Sequence, residues 1–165
     1  MSFQVGDTVF HWSYGLGQII GLEERAVTGE NQLYYAVQIQ DFSVWVPADG
    51  RIASRLRLPT TARAFKKLFA ILGGPAGPLS TDRRERKTEL HTKMAGGQAE
   101  AICQVIRDLT SLEKGKSLNY DDKSTLKRAR TLLLGEWGYS LGAPPAQAEA
   151  DLFQLLSPRP IPLAG

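Results

Sequence analysis

The chain changes character near residue 58, and that change confines it to folds in which a β part precedes an α part. Ahead of it lie short β-prone runs parted by turn residues. Behind it lie stretches of helical periodicity ended by glycine and proline. Charge divides at the same place. Residues 1–58 hold four Lys/Arg against six Asp/Glu, and residues 59–140 hold fifteen against nine, in a 165-residue chain of net charge +3. Such asymmetry argues for two modules with different partners, the basic one suited to a polyanion.

The front part has the spacing of a small twisted sheet. Thr8-Val9-Phe10-His11-Trp12 is β-prone and is closed by Ser13-Tyr14-Gly15-Leu16-Gly17, whose glycines permit positive φ in a tight turn. A longer strand covers Gln18 to Val27, with Gly21 marking a bulge or a close backbone approach. Thr28-Gly29-Glu30-Asn31 is a hairpin loop, followed by strands over Leu33 to Ile39 and Ser43 to Pro47. Four or five closely spaced strands indicate a small SH3- or Tudor-like barrel and not a parallel sheet.

Helices are expected from Ala62 to Leu72, from Asp82 to Ala95, from Gln98 to Glu113, onward from Asn119, and from Ala146 to Leu156 behind Pro144-Pro145. Asp82 with Glu85, and Asn119 with Asp122, have the spacing of N-terminal caps. Ile102, Val105, Ile106, Leu109 and Leu112 form one core stripe; Leu126, Ala129, Leu133 and Trp137 form another. The fold class predicted is α+β, with an N-terminal small Tudor/SH3-like β-barrel (1–58) followed by an all-α helical bundle (59–156). Residues 157–165, with prolines at 158, 160 and 162, are expected to be a mobile tail.

Several function classes lose support. The start of the chain lacks the cationic and apolar regions of a signal peptide, and no apolar run approaches the roughly 20 residues that span a bilayer. The single cysteine, Cys103, allows no internal disulfide and fits a reducing compartment, so a cytoplasmic protein is expected. Cys103 adjoins a core stripe and reads as an inert thiol. His11 and His91 stand far apart without companion ligands at metal spacing. Gly15, Gly17 and Gly21 lack the following helix of a phosphate-binding loop. No nucleophile, base or metal set converges, so neither enzyme activity nor a cofactor is expected. Trp12, Tyr14, Tyr34, Tyr35 and Trp45 could form a cage for a methylated cation, but a division between barrel core and protein interface fits better.

The basic region has its own chemistry. Arg83, Arg84, Arg86 and Lys87 cluster at a predicted helix start, where free N–H groups would add donors for phosphate. Lys123, Lys127 and Arg130 recur at helical spacing as a basic stripe, with Arg128 pointing elsewhere. As solvated helix faces these charges would need no ligand; as a set they could track a nucleic-acid backbone without reading sequence.

The ordered motifs resemble the CarD/CdnL family of bacterial transcription regulators. The resemblance rests on Phe3-Gln4-Val5-Gly6-Asp7-Thr8-Val9, Tyr14-Gly15-Leu16-Gly17-Gln18-Ile19, Glu24-Arg25-Ala26-Val27-Thr28-Gly29 with Tyr34-Tyr35, and Val44-Trp45-Val46-Pro47. In the helical half it rests on Val105-Ile106-Arg107-Asp108-Leu109 and Lys127-Arg128-Ala129-Arg130-Thr131-Leu132-Leu133. The resemblance implies a Tudor-like domain, shared with transcription-repair coupling factors, that binds the RNA polymerase β subunit. Arg25 matches a contacting arginine, and Trp45, ahead of Val46 and Pro47, stands where relatives often carry another. It further implies a helical domain on promoter DNA at the upstream edge of the bubble, using Arg83, Arg84, Arg86, Lys87, Lys123, Lys127, Arg128 and Arg130. Relatives place a tryptophan wedge ahead of the Arg-Arg run; here no aromatic occurs between Phe69 and Tyr120, which implies weaker stabilisation of melted promoter, or a dependence on other proteins, compared with wedge-bearing relatives. The expected protein is a monomeric, nucleoid-associated regulator with no membrane partner. Alternatives are a polymerase-binding module that has lost DNA binding, and a small RNA-binding protein.

Overall fold

A computed structural model describes residues 2–26 and 29–157. Strands β1 (Thr8–His11), β2 (Gly15–Arg25), β3 (Gln32–Ile39), β4 (Phe42–Pro47) and β5 (Leu56–Arg57) form one antiparallel sheet in the order β4-β3-β2-β1-β5. Helices α1 (Phe65–Leu72), α2 (Arg83–Ala95), α3 (Ala99–Gly115), α4 (Tyr120–Leu141) and α5 (Pro145–Leu156) follow. Val27, the last residue of the expected long strand, Thr28 of the expected hairpin loop, and the tail beyond Ser157 lie outside the described residues.

Local chemistry accounts for most boundaries. Asp82 caps α2 by accepting from the N–H groups of Arg84 and Glu85, and Asn119 caps α4 by accepting from that of Asp122. Pro145 opens α5 at a position where its missing N–H costs nothing. The register of β2 against β3 shifts between Ile19 and Gly21, the bulge that Gly21 suggested. Gly15 takes φ +83°, as the turn requires, but Gly17 does not take a positive φ. Gly17 serves close approach instead: a Cβ there would lie 2.7 Å from the Gln38 carbonyl oxygen and 2.5 Å from the Ile39 side chain.

Strand alternation sends neighbouring side chains to two different cores. Val9 joins Ile19, Val37, Ile39, Val46, Ile52 and Leu56 beneath the curled sheet, while Phe10 joins Phe65, Leu109 and Leu133 in the helical core. Phe10 is thus a strand residue buried in the helical layer.

Beside it the two parts are bolted by charge. Arg57 of β5 donates Nη1 to Glu136 Oε2 at 2.6 Å and Nη2 to Oε1 at 2.8 Å, with Glu136 only 1% exposed on α4. The same guanidinium gives Nε to the Gly97 carbonyl and lies 4.0 Å from the Phe10 ring centroid. The Thr60 N–H donates to Glu136 as well. Gly97 has φ +64°, and a Cβ there would meet the Trp12 backbone at 2.6 Å, so barrel and bundle touch main chain to main chain.

Removing one partner of so enclosed a pair leaves a charge without compensation. Glu136→Ala should therefore lower the unfolding free energy by about 3 kcal/mol, measured by urea denaturation at neutral pH. Burial would raise the Glu136 carboxyl, but Arg57's hydrogen bonds and charge and the Thr60 N–H outweigh it and hold the group below its ordinary 4.5. A lowered folded value means stabilisation present above 4.5 and lost as pH falls through that lower value. The stability gap between the natural chain and Glu136→Gln should close in that acid range.

Candidate functional site

Two surfaces of different character lie on either side of this seam. The first is the outer face of β2, β3 and β4, the side that carries Gly21, Ala36 and Trp45, where Trp45 is 49% exposed. Arg25 reaches across the sheet so that its guanidinium carbon sits 3.3 Å from the Trp45 ring centroid, while its Nε donates to Glu23 at 3.1 Å. Residues twenty positions apart thus form one cationic-aromatic unit. Because β4 is an outer strand of the sheet, its backbone also offers an edge for a partner strand. Pro47, half-buried, ends β4. Val46 corrects an expectation: strand alternation turns it into the barrel core, so it supports the contact surface from below and does not line it.

The second surface belongs to α2 and α4. Arg83, Arg84 and Lys87 are exposed on α2, and Lys123 and Lys127 on α4. Arg86 does not join them. It is 3% exposed, donates Nε and Nη2 to the Asp122 carboxylate at 2.9–3.2 Å, and gives Nη1 to the Ser80 carbonyl. Its three donors are consumed in fastening the first turn of α2 to that of α4, so the structure overturns its assignment as a phosphate contact. The expectation of free N–H donors at this helix start changes too, because the Asp82 carboxylate already accepts from two of them.

The remaining basic residues spread around α4. Lys87 lies 3.6 Å from Asp121 in an exposed pair that salt would screen. Arg130 is half-buried and turns toward α3 and α5, where Glu113 and Glu149 line the same groove. Arg128 faces the barrel, donating to Ser13 Oγ at 3.3 Å and lying 5.7 Å from the Trp12 ring centroid. The stripe expected from helical spacing therefore consists chiefly of Lys123 and Lys127.

The aromatic residues divide as a core and several surfaces. Tyr35 is buried, its hydroxyl accepting from the Phe3 N–H; Trp45 is covered by Arg25; Trp12 packs at the Gly97 seam. Tyr14 pairs edge-on with Phe42 at 5.1 Å on the barrel tip nearest α4. That grouping escaped the sequence reading, because Phe42 joins Tyr14 only through sheet pairing. Cys103 is wholly buried; burial foremost, with the Glu136 and Glu100 charges behind it, pushes its thiol up to about 12. Among the described residues no group of three or more His, Cys, Asp or Glu is placed to hold a metal ion, and no helix is long and apolar enough to cross a membrane.

Both halves match family models in the order of the fold. Residues 3–53 match the CarD-like/TRCF RID domain, and residues 67–153 match the CarD C-terminal domain. The chain belongs to the CarD family. Among curated proteins it is similar to YdeB of Bacillus subtilis (strain 168), whose name describes a candidate transcription factor. The two are 28% identical over 136 residues, covering 81% of this chain and 89% of that protein. As a CarD-family chain it is a transcription factor of α+β fold whose first domain is the family's RNA-polymerase-interacting, Tudor-like module.

Two outcomes follow for residues whose roles the structure redefines. Arg86→Ala should cost about 3 kcal/mol in denaturant unfolding, since Asp122 would be left buried alone, whereas Arg83→Ala should stay within about 0.5 kcal/mol. Cys103 should react with a thiol reagent only as fast as the chain unfolds, so that labelling at pH 8 tracks denaturant concentration.

Proposed function

We propose that this chain binds the RNA polymerase β subunit through the outer face of β2–β4 and contacts promoter DNA through α2 and α4. There it alters the lifetime of the open complex at the upstream edge of the bubble. The observation that carries this reading is the Arg57–Glu136 seam, which fixes a polymerase-interacting module and a basic helical surface in one orientation. Covalent and geometric linkage raises the effective concentration of DNA once the barrel has docked, so weak backbone contacts suffice. In this reading Arg25 and Trp45 anchor the protein contact, with Pro47 ending the edge strand, while Arg83, Arg84, Lys87, Lys123 and Lys127 meet phosphates. Arg128 and Arg130 flank that surface. The protein works at the nucleoid, in the cytoplasm, as a monomer.

A polymerase-binding module without DNA contact is the second reading. It is favoured by the engagement of Arg86 with Asp122 and of the α2 N–H groups with Asp82, both of which reduce the donors open to phosphate.

Open-complex lifetime on a defined promoter, with and without the protein, tests the proposal directly; unchanged lifetimes would refute it. Arg25→Glu should abolish retention by the immobilised β lobe while leaving the fold intact by circular dichroism. For DNA, Lys123→Ala and Lys127→Ala should each reduce the slope of log affinity against log salt by about 0.9. A slope near zero in the natural chain would favour the second reading.

A further inference from the structure

A cleft of about 470 Å³ runs between the tip of the barrel and the middle of α4. Tyr14 and Phe42 form its barrel wall, 52% and 41% exposed although both are large and apolar in part. Lys127 and Arg128 line the helical wall, and among the described residues neither has a carboxylate partner. Asp41 stands beside Phe42 in sequence but does not line the cleft. Ser124 and Thr131 stand on the same helical wall, the Thr131 hydroxyl donating to the Lys127 carbonyl.

The aromatic wall is held in place before any ligand arrives. His11 Nδ1 accepts from the N–H groups of Ser13 and Tyr14, which fixes the β1–β2 turn, and the imidazole stacks against the Tyr14 ring at 5.0 Å. Phe42 meets that ring edge-on from the first position of β4, just past the two-residue β3–β4 turn. Across the gap, Arg128 is steadied by Ser13 Oγ.

From this geometry we infer that the cleft binds an unpaired nucleotide of single-stranded DNA, with the base against Tyr14 and Phe42 and its phosphates toward Lys127 and Arg128. Exposed aromatic rings facing cations without carboxylate partners suit a ligand that carries a π-face and an anionic backbone together. Every base has a π-face, so such a site is tolerant of sequence. The inference rests on the proposed promoter reading only for the source of the single strand. Duplex DNA offers no free base face, so the cleft and the exposed cations outside it, Arg83, Arg84, Lys87 and Lys123, would divide the work between melted and paired DNA.

The test uses the full chain and a fluorescent oligodeoxythymidine of about a dozen nucleotides, within the span that single-strand sites cover. A mixed-sequence duplex of equal length runs in parallel, both followed by anisotropy. The Tyr14→Ser/Phe42→Ser chain should bind the single strand about tenfold or more weakly, with duplex affinity changed less than twofold. Tyr14→Phe and Phe42→Tyr should restore it, which separates stacking from loss of fold. An oligonucleotide carrying 5-iododeoxyuridine should photocrosslink to the peptide containing Tyr14 or Phe42. Equal binding of the single strand by the double variant, equal loss for single strand and duplex, or crosslinks only elsewhere would overturn the inference, as would crosslinking of this cleft to a polymerase subunit in place of DNA. A chain that fails to bind duplex but still shows the selective single-strand effect would remove the promoter reading and uphold the cleft, so the two failures are distinguishable.

Discussion

The pairing of Arg57 with Glu136 is the contact on which the rest of the molecule's geometry depends. The barrel and the helices would otherwise meet through Phe10 and Leu16 in the helical core, the Arg128–Ser13 hydrogen bond and a few glycine-permitted backbone contacts. Two charge-assisted hydrogen bonds in a nearly dry seam convert that meeting into a defined orientation, because a guanidinium fork can donate both bonds to a carboxylate in few geometries. The aromatic ring of Phe10 below the guanidinium and the Gly97 carbonyl beside it complete the enclosure. Domain motion about residues 58–60 would have to break this set together, as Thr60 itself donates to Glu136.

The same economy governs the helical domain, where net charge is a poor guide to accessible charge. Arg57 and Arg86 face buried carboxylates, and Arg107 donates to Asp108, which also accepts from the Gly77 N–H and so ties down the loop ahead of α2. Each neutralises an acid within the fold and contributes little to the external field. What remains outside is a smaller set, led by Arg83, Arg84, Lys87, Lys123 and Lys127, on helices whose first turns are fastened by Arg86 and Asp122. A structural cation thereby sets the spacing of the exposed ones.

Much of this was legible in the chain before any tertiary contact was known. The order of strands before helices, the bulge at Gly21, the caps at Asp82 and Asn119, the core stripes of α3 and α4 and the ordered family motifs are all local patterns, and each appears where its residues placed it. The candidate sites were less legible. Val46 and Arg86 looked equal to their neighbours, because a sequence records residue type and spacing but not which way a side chain turns. Nothing in the run Arg83-Arg84-Glu85-Arg86-Lys87 marks the third arginine as the buried one; Asp122, 36 residues on, decides it.

The sequence by itself determined the four longer strands and the five helices, since period, caps and breakers act within a few residues; β5, two residues long, is a strand only by its pairing with β1. Tertiary structure alone decided which charges are spent inside and which face water, and that Tyr14, Phe42 and Arg128 share a cleft. Burial and ion pairing are properties of approach between distant segments, and approach here is set by a β5 arginine finding an α4 glutamate 79 residues away.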